Sequence, residues 1–106
     1  MYKFSPLPAS SEERLEKLAE GDGILIERII STGQRTAEGE WFDQVEDEWV
    51  VLIQGEATLA YEDGTRQHLG GGDSVFLPAH VKHRVEHTSV SPPCIWIAVH
   101  ANMHAC

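Results

Sequence analysis

"GGGDSVFLPAHVKHRVEH", Gly70 to His87, holds the plainest strand signals in the chain. Its first four residues read as a turn in which glycine can take a positive φ. "SVFLP" is a short apolar run stopped by Pro78, as a strand would be. "HRVEHTS" then alternates in polarity, the pattern of a half-buried strand. On such a strand His83 and His87 share a face with Val85 between them, because side chains alternate with period two. His80 precedes this strand by a turn, so three histidines fall within eight positions. An isolated histidine on a polar strand face is most simply a surface residue. Three so close together behind a glycine turn and a proline stop point to a site.

The same reading extends outward in both directions. "GEATLAYEDGTRQHL" is a hairpin: Ala57, Leu59 and Tyr61 alternate with polar residues, and Asp63-Gly64 supplies a favoured two-residue turn. "EWVVLIQ" is nearly all apolar and is expected to be buried on both sides. "GILIERII" is rich in β-branched and aliphatic residues and is followed by the turn-like "STGQ". After the break "SPP", "CIWIAVH" closes the set of strands. Seven or more short strands with regular turns predict a small sandwich or barrel. One segment reads as helix: in "SSEERLEKLAE", Ser10 and Glu13 have capping-box spacing, and Leu15, Leu18 and Ala19 follow at helical spacing before Gly21. The expected organisation is an arm with a short helix over residues 1–22, a β domain over 23–100 and a frayed tail over 101–106.

Composition narrows the function classes. The chain has 106 residues, 42% hydrophobic, the size and make-up of one globular domain. Eight Lys and Arg against 17 Asp and Glu give a formal charge of -9. Nucleic acid and anionic membrane are therefore not expected partners, since both need a basic patch. No apolar run approaches the roughly 20 residues of a membrane span. No secretion signal is read in the first residues, and the cytoplasm is the expected location. Cys94 and Cys106 form no C-x-x-C pair, so neither a disulfide framework nor a zinc knuckle is expected. There is no G-x-S-x-G elbow, and "GGGD" lacks the lysine and following helix of a phosphate loop.

"EWFDQVEDEWVVLIQGEA", Glu40 to Ala57, crowds carboxylates against an apolar strand. Glu46 and Asp47 read as a solvated acidic turn. Glu48 leads directly into the buried run and is expected to face inward. If Asp43 joined it there, the two carboxylates would raise each other's pKa unless a cation lay between them. A divalent metal with a neutral imidazole from the His83 group would answer that need. Trp41, Trp49 and Trp96 are expected as core or pocket walls.

Taken together these residues resemble the cupin family of small β-barrels. Its second motif, G-x5-P-x-G-x2-H-x3-N, is matched by Gly72, Pro78 and His83, with His80 in place of glycine and His87 in place of asparagine. Its first, G-x5-H-x-H-x3/4-E-x6-G, is matched at its end by Glu48 and Gly55. The histidine pair is missing. A four-residue gap puts Trp41 and Asp43 in those positions, and a three-residue gap puts Phe42 and Gln44 there.

The resemblance implies an all-β fold, the cupin-type double-stranded β-helix or jelly-roll barrel, with the short N-terminal helix as an addition. It also implies a divalent metal (Zn, Mn, Fe or Ni) in the barrel mouth. Glu48 and His83 carry over unchanged as ligands, Asp43 is an acceptable substitute, and Gln44 is a weaker one through its amide oxygen. His87 or His100 would serve as acid or base on a small-molecule ligand or substrate. Isomerase, dioxygenase, lyase and decarboxylase chemistries all occur on this fold, so fold alone does not choose among them. The alternative is a non-enzymatic ligand-binding or sensor barrel that has lost the metal. Cupins commonly pair sheets into homodimers, and "GILIERII" is the candidate contact.

Overall fold

In the computed structural model, which describes residues 13–106, eight strands follow one another: β1 (Arg14–Gly21), β2 (Ile24–Ser31), β3 (Asp47–Gln54), β4 (Ala57–Tyr61), β5 (Arg66–Leu69), β6 (Ser74–Leu77), β7 (His83–Thr88) and β8 (Cys94–Ala101). They form a five-stranded sheet of order β1-β2-β8-β3-β6 and a three-stranded sheet of order β5-β4-β7. All named pairings are antiparallel. The expected strands are each found, including the hairpin at Asp63-Gly64. There Gly64 has φ 91° and Asp63 Oδ1 accepts from the Thr65 N–H at 2.9 Å.

Alternation along the ladder places the core and then the site. On β3, Leu52, Val50 and Glu48 share the inner face, and on β8 their register partners are Trp96, Ala98 and His100. On β2, Ser31, Ile29 and Glu27 pair with Cys94, Trp96 and Ala98. The β3 and β8 rows are therefore mostly apolar, the β2 row carries Ile29 between Ser31 and Glu27, and all three end in an ionisable group. The apolar part meets Ala57, Leu59 and Leu69 of the smaller sheet in one core. Leu52 is completely buried, and a leucine buried in this way stabilises the fold by about 1.5–3 kcal/mol. Close packing also fixes Gly55, at φ 99° after β3: a Cβ there would lie 2.8 Å from Ser89 Oγ and 3.0 Å from Cys94 Cα.

Three expectations change. β3 is buried on one face only, since Trp49 and Ile53 point outward and are 38% and 47% exposed. Its apolar outer residues had hidden the alternation. The expected helix is replaced from Arg14 onward by β1, while its Ser10 cap lies outside the described residues. Helix propensities differ by only tenths of a kcal/mol per residue, and tertiary pairing outweighs them. Here β1 ladders along β2 from Ile24 to Ile30, and Glu16 forms an ion pair with the buried Arg28. Asp47 is no solvated turn residue: it accepts from the backbone N–H of Ala79 at 2.8 Å and of Met103 at 2.9 Å. Those two bonds, Met103's first, hold its carboxyl below the usual value.

Among the described residues no helix is long and apolar enough to cross a membrane. Both cysteines are free, Cys94 buried and Cys106 exposed.

Candidate functional site

Where the apolar rows end, the two sheets leave a cavity of about 230 Å³. Its walls are aliphatic and aromatic, with Ile29, Val50, Leu59, Leu77, Val85 and Trp96 among them. Glu27, Gln44, Glu48, His83 and His100 supply the polar groups, and Glu13 and Leu15 border it from the β1 side. The volume lies below the roughly 300–1,000 Å³ of pockets for drug-sized ligands, so it suits a small molecule.

The segment before β3 decides which acid enters. Phe42 and His83 exchange backbone hydrogen bonds, Phe42 N–H to His83 O at 2.8 Å and His83 N–H to Phe42 O at 3.1 Å. Extended backbone alternates, so Phe42 and Gln44 line the cavity while Asp43 between them does not. Asp43 is exposed and its Oδ1 lies 2.8 Å from His80 Nδ1. Asp43 is therefore corrected from a cavity ligand to a surface partner of His80. The three-residue gap is the one the fold realises, with Phe42 and Gln44 in the motif's histidine positions. His80 stands where the motif has glycine and keeps the corresponding backbone, at φ 65°.

His87 is also displaced. Leu59 pairs with Val85 but Thr58 pairs with His87, so one step on β4 spans two on β7. This bulge reverses the alternation beyond Val85. His87 is left exposed on the outer face and Thr88 turns inward, 2% exposed. Of the expected site residues, Glu48, His83, Gln44 and His100 come together; Asp43 and His87 stand apart.

The protonation pattern follows from the partners. His83 is 5% exposed, and its Nδ1 lies 3.0 Å from the Val81 carbonyl, which can only accept. Nδ1 therefore carries the hydrogen, and in the neutral ring Nε2 presents a lone pair. His100 Nε2 lies 2.8 Å from Glu27 Oε1, which leaves Nδ1 as its open nitrogen. Glu48 is 7% exposed, and burial pushes its carboxyl above the usual value. His100 and then His83 oppose that shift, Glu27 adds to it, and a hydrogen bond from Gln44 opposes it.

Trp96, the one expected tryptophan that becomes a cavity wall, is held by its ring nitrogen. Its Nε1–H donates to Ser31 Oγ at 3.2 Å, and Ser31 donates in turn to Glu13 Oε2 at 2.7 Å. Trp41 instead lies beneath the Arg84 guanidinium, 5.8 Å from it, and Trp49 faces outward. Glu27 escaped the sequence reading. Its signal was present: it is the lone acid inside the aliphatic run "GILIERII".

These residues do not fit the metal that the motif resemblance implies. Among the described residues no three His, Cys, Asp or Glu side chains converge as a metal ion requires. Phe42 offers no donor, and Asp43 is engaged with His80. Glu48, His83 and His100 border the cavity with the amide of Gln44, but among the described residues the three ionisable groups do not converge on one point.

Comparison with known proteins agrees with the architecture. The family Cupin_2, described as "Cupin domain", matches residues 27–100. No curated protein matches the chain. Among solved structures, one from Ralstonia eutropha JMP134, described as a "putative mannose-6-phosphate isomerase", is 38% identical with a TM-score of 0.85, over 89% of this chain and 88% of that one. A cupin superfamily protein from Desulfitobacterium hafniense DCB-2 is 16% identical with a TM-score of 0.74, covering 91% of this chain and 83% of its own. The polyketide cyclase RemF from Streptomyces resistomycificus is 17% identical with a TM-score of 0.71, covering 90% and 73%. The last two show the fold alone. With two facing antiparallel sheets, the glycine and proline spacing of the second motif and a match over most of its length, the chain belongs to the cupin domain family.

Proposed function

We propose that this cupin binds a small organic molecule in its barrel, held by Glu48, Gln44 and His83, and does so without a resident metal. The observation that carries this reading is His83. It is almost wholly buried, its Nδ1 is used by Val81, and its remaining nitrogen borders a cavity with aliphatic walls. No hydrogen bond to that nitrogen comes from the described residues, so a donor from a bound ligand or an ordered water is free to meet it. Glu48 beside it can donate when protonated and accept when ionised, so the pair recognises a ligand's polar end. The aliphatic wall takes the carbon frame.

A second reading rests on the same two groups. An acid held toward its neutral form by burial, next to an imidazole with an open lone pair, is an arrangement that transfers protons. Proton abstraction beside a carbonyl or hydroxyl carbon is the reaction class this would serve.

Elemental analysis of protein purified without added metal, together with a thermal-shift panel, tests the main reading. We expect below about 0.1 equivalent of metal and no shift with Zn, Mn, Fe or Ni. Stoichiometric metal that is lost on Glu48→Ala and His83→Ala but kept on Glu46→Ala would overturn it.

A further inference from the structure

The polar end of the cavity can be read as a list of what a ligand must bring. Glu13, Glu27 and Glu48 all line it, and among the described residues neither lysine nor arginine does. By register Lys17 lies opposite Glu27, and the buried Arg28 beside Glu27 in the chain is paired with Glu16. The Lys17 side chain is 68% exposed, and its ammonium lies 3.7 Å from Glu20. The two imidazoles add no free donor in their neutral form. His83 Nδ1 is committed to Val81 and His100 Nε2 to Glu27, so both open nitrogens are acceptors. Carboxylates and lone pairs thus outnumber donors among the described residues, and His83, nine-tenths buried, makes its one side-chain hydrogen bond there through Nδ1. Trp96 is fixed in place by Ser31 and offers a ring face that favours positive charge.

We infer that the ligand is a small organic cation, an ammonium on an apolar body. Its N–H groups meet Glu48 and His83, and its carbon frame packs on Trp96 and the aliphatic wall. This rests on the barrel being a ligand site, as proposed above, and narrows its chemistry. It also separates this chain from what the description of the Ralstonia protein would suggest. A sugar phosphate would bring its charge among three carboxylates, with no lysine or arginine of the described residues lining the cavity to receive it.

The test is isothermal titration of the full chain at pH 7.5 with three probes: cyclohexylammonium, its neutral isostere cyclohexanol, and mannose 6-phosphate. We expect cyclohexylammonium to bind about tenfold or more tightly than cyclohexanol, and mannose 6-phosphate to give no heat. Glu48→Gln, close to isosteric, is expected to erase the preference for the cation while cyclohexanol still binds. Glu27→Gln, which removes a second carboxylate from the same cavity, should weaken the cation selectively even if Glu48→Gln fails to fold. Cyclohexanol binding as tightly as the cation, or mannose 6-phosphate binding at all, would overturn the inference and leave the ligand-site reading standing. No heat from any probe would overturn both. A cation preference unchanged in both variants would overturn the inference by placing the cation elsewhere.

Discussion

Replacing Glu48 by glutamine should change how stability depends on pH, and the sign can be worked out. Glu48 is 7% exposed, so solvent screens it little, and burial raises its carboxyl above the ordinary value of 4.5. Between 4.5 and the folded value, the native state holds a proton that the unfolded chain has released. Glu48's contribution is therefore fully present below 4.5 and is lost as pH rises through the folded pKa. For one proton the slope cannot exceed about 1.4 kcal/mol per pH unit. Glutamine is close to isosteric, cannot ionise and can still pair with Gln44.

The stability difference, variant minus wild type, should be flat below 4.5 and then rise with pH to a plateau. Asp47, Asp63 and Glu86 have lowered pKa values and act in the opposite sense, but they are common to both proteins and cancel. Urea unfolding of dialysed protein from pH 4 to 8, followed by tryptophan fluorescence, would measure the curve. A flat difference would mean that burial does not govern this carboxyl. A difference that falls with pH would mean that a tightly held cation already neutralises Glu48.

Gly55→Ala should destabilise the fold by about 2–4 kcal/mol in urea unfolding, from a disfavoured backbone and from overpacking against Cys94. A loss under about 0.5 kcal/mol would mean that the turn relaxes freely. Asp47→Ala should lower the thermal midpoint at pH 7 by releasing the Ala79 and Met103 amides. Because the folded pKa of Asp47 is depressed, the gap to wild type should be complete above 3.8 and close as pH falls through the folded value, and a gap that widens on acidification would count against it. Asp43→Ala should leave probe binding unchanged and cost no more than about 0.5 kcal/mol, as a surface change does; loss of binding would return Asp43 to the site.

Much of this was legible in the sequence because short-range chemistry fixed it. Pro78, the glycine turns and the Asp63-Gly64 pair bounded the strands, and motif spacing drew Glu48 and His83 out of many acids and histidines. What was not legible depended on pairing between distant segments. Leu15, Leu18 and Ala19 sit at helical spacing, and only the ladder with β2 makes that segment a strand. His83 and His87 do have the period of one face, but the bulge opposite Thr58 is a property of two strands together. Asp43 and Gln44 are adjacent, so a single step of register decides which one enters the barrel. The bridge between Phe42 and His83 sets that step. Glu27 needed the partner strand as well, since its role comes from His100 on β8.

The most direct measurement is a crystal structure at high resolution of the protein grown with cyclohexylammonium, read at the polar end of the cavity. The account predicts density for the organic cation with its nitrogen about 3 Å from the Glu48 carboxylate and from His83 Nε2, the spacing of hydrogen bonds. A metal ion about 2.0–2.2 Å from those same two groups would contradict it.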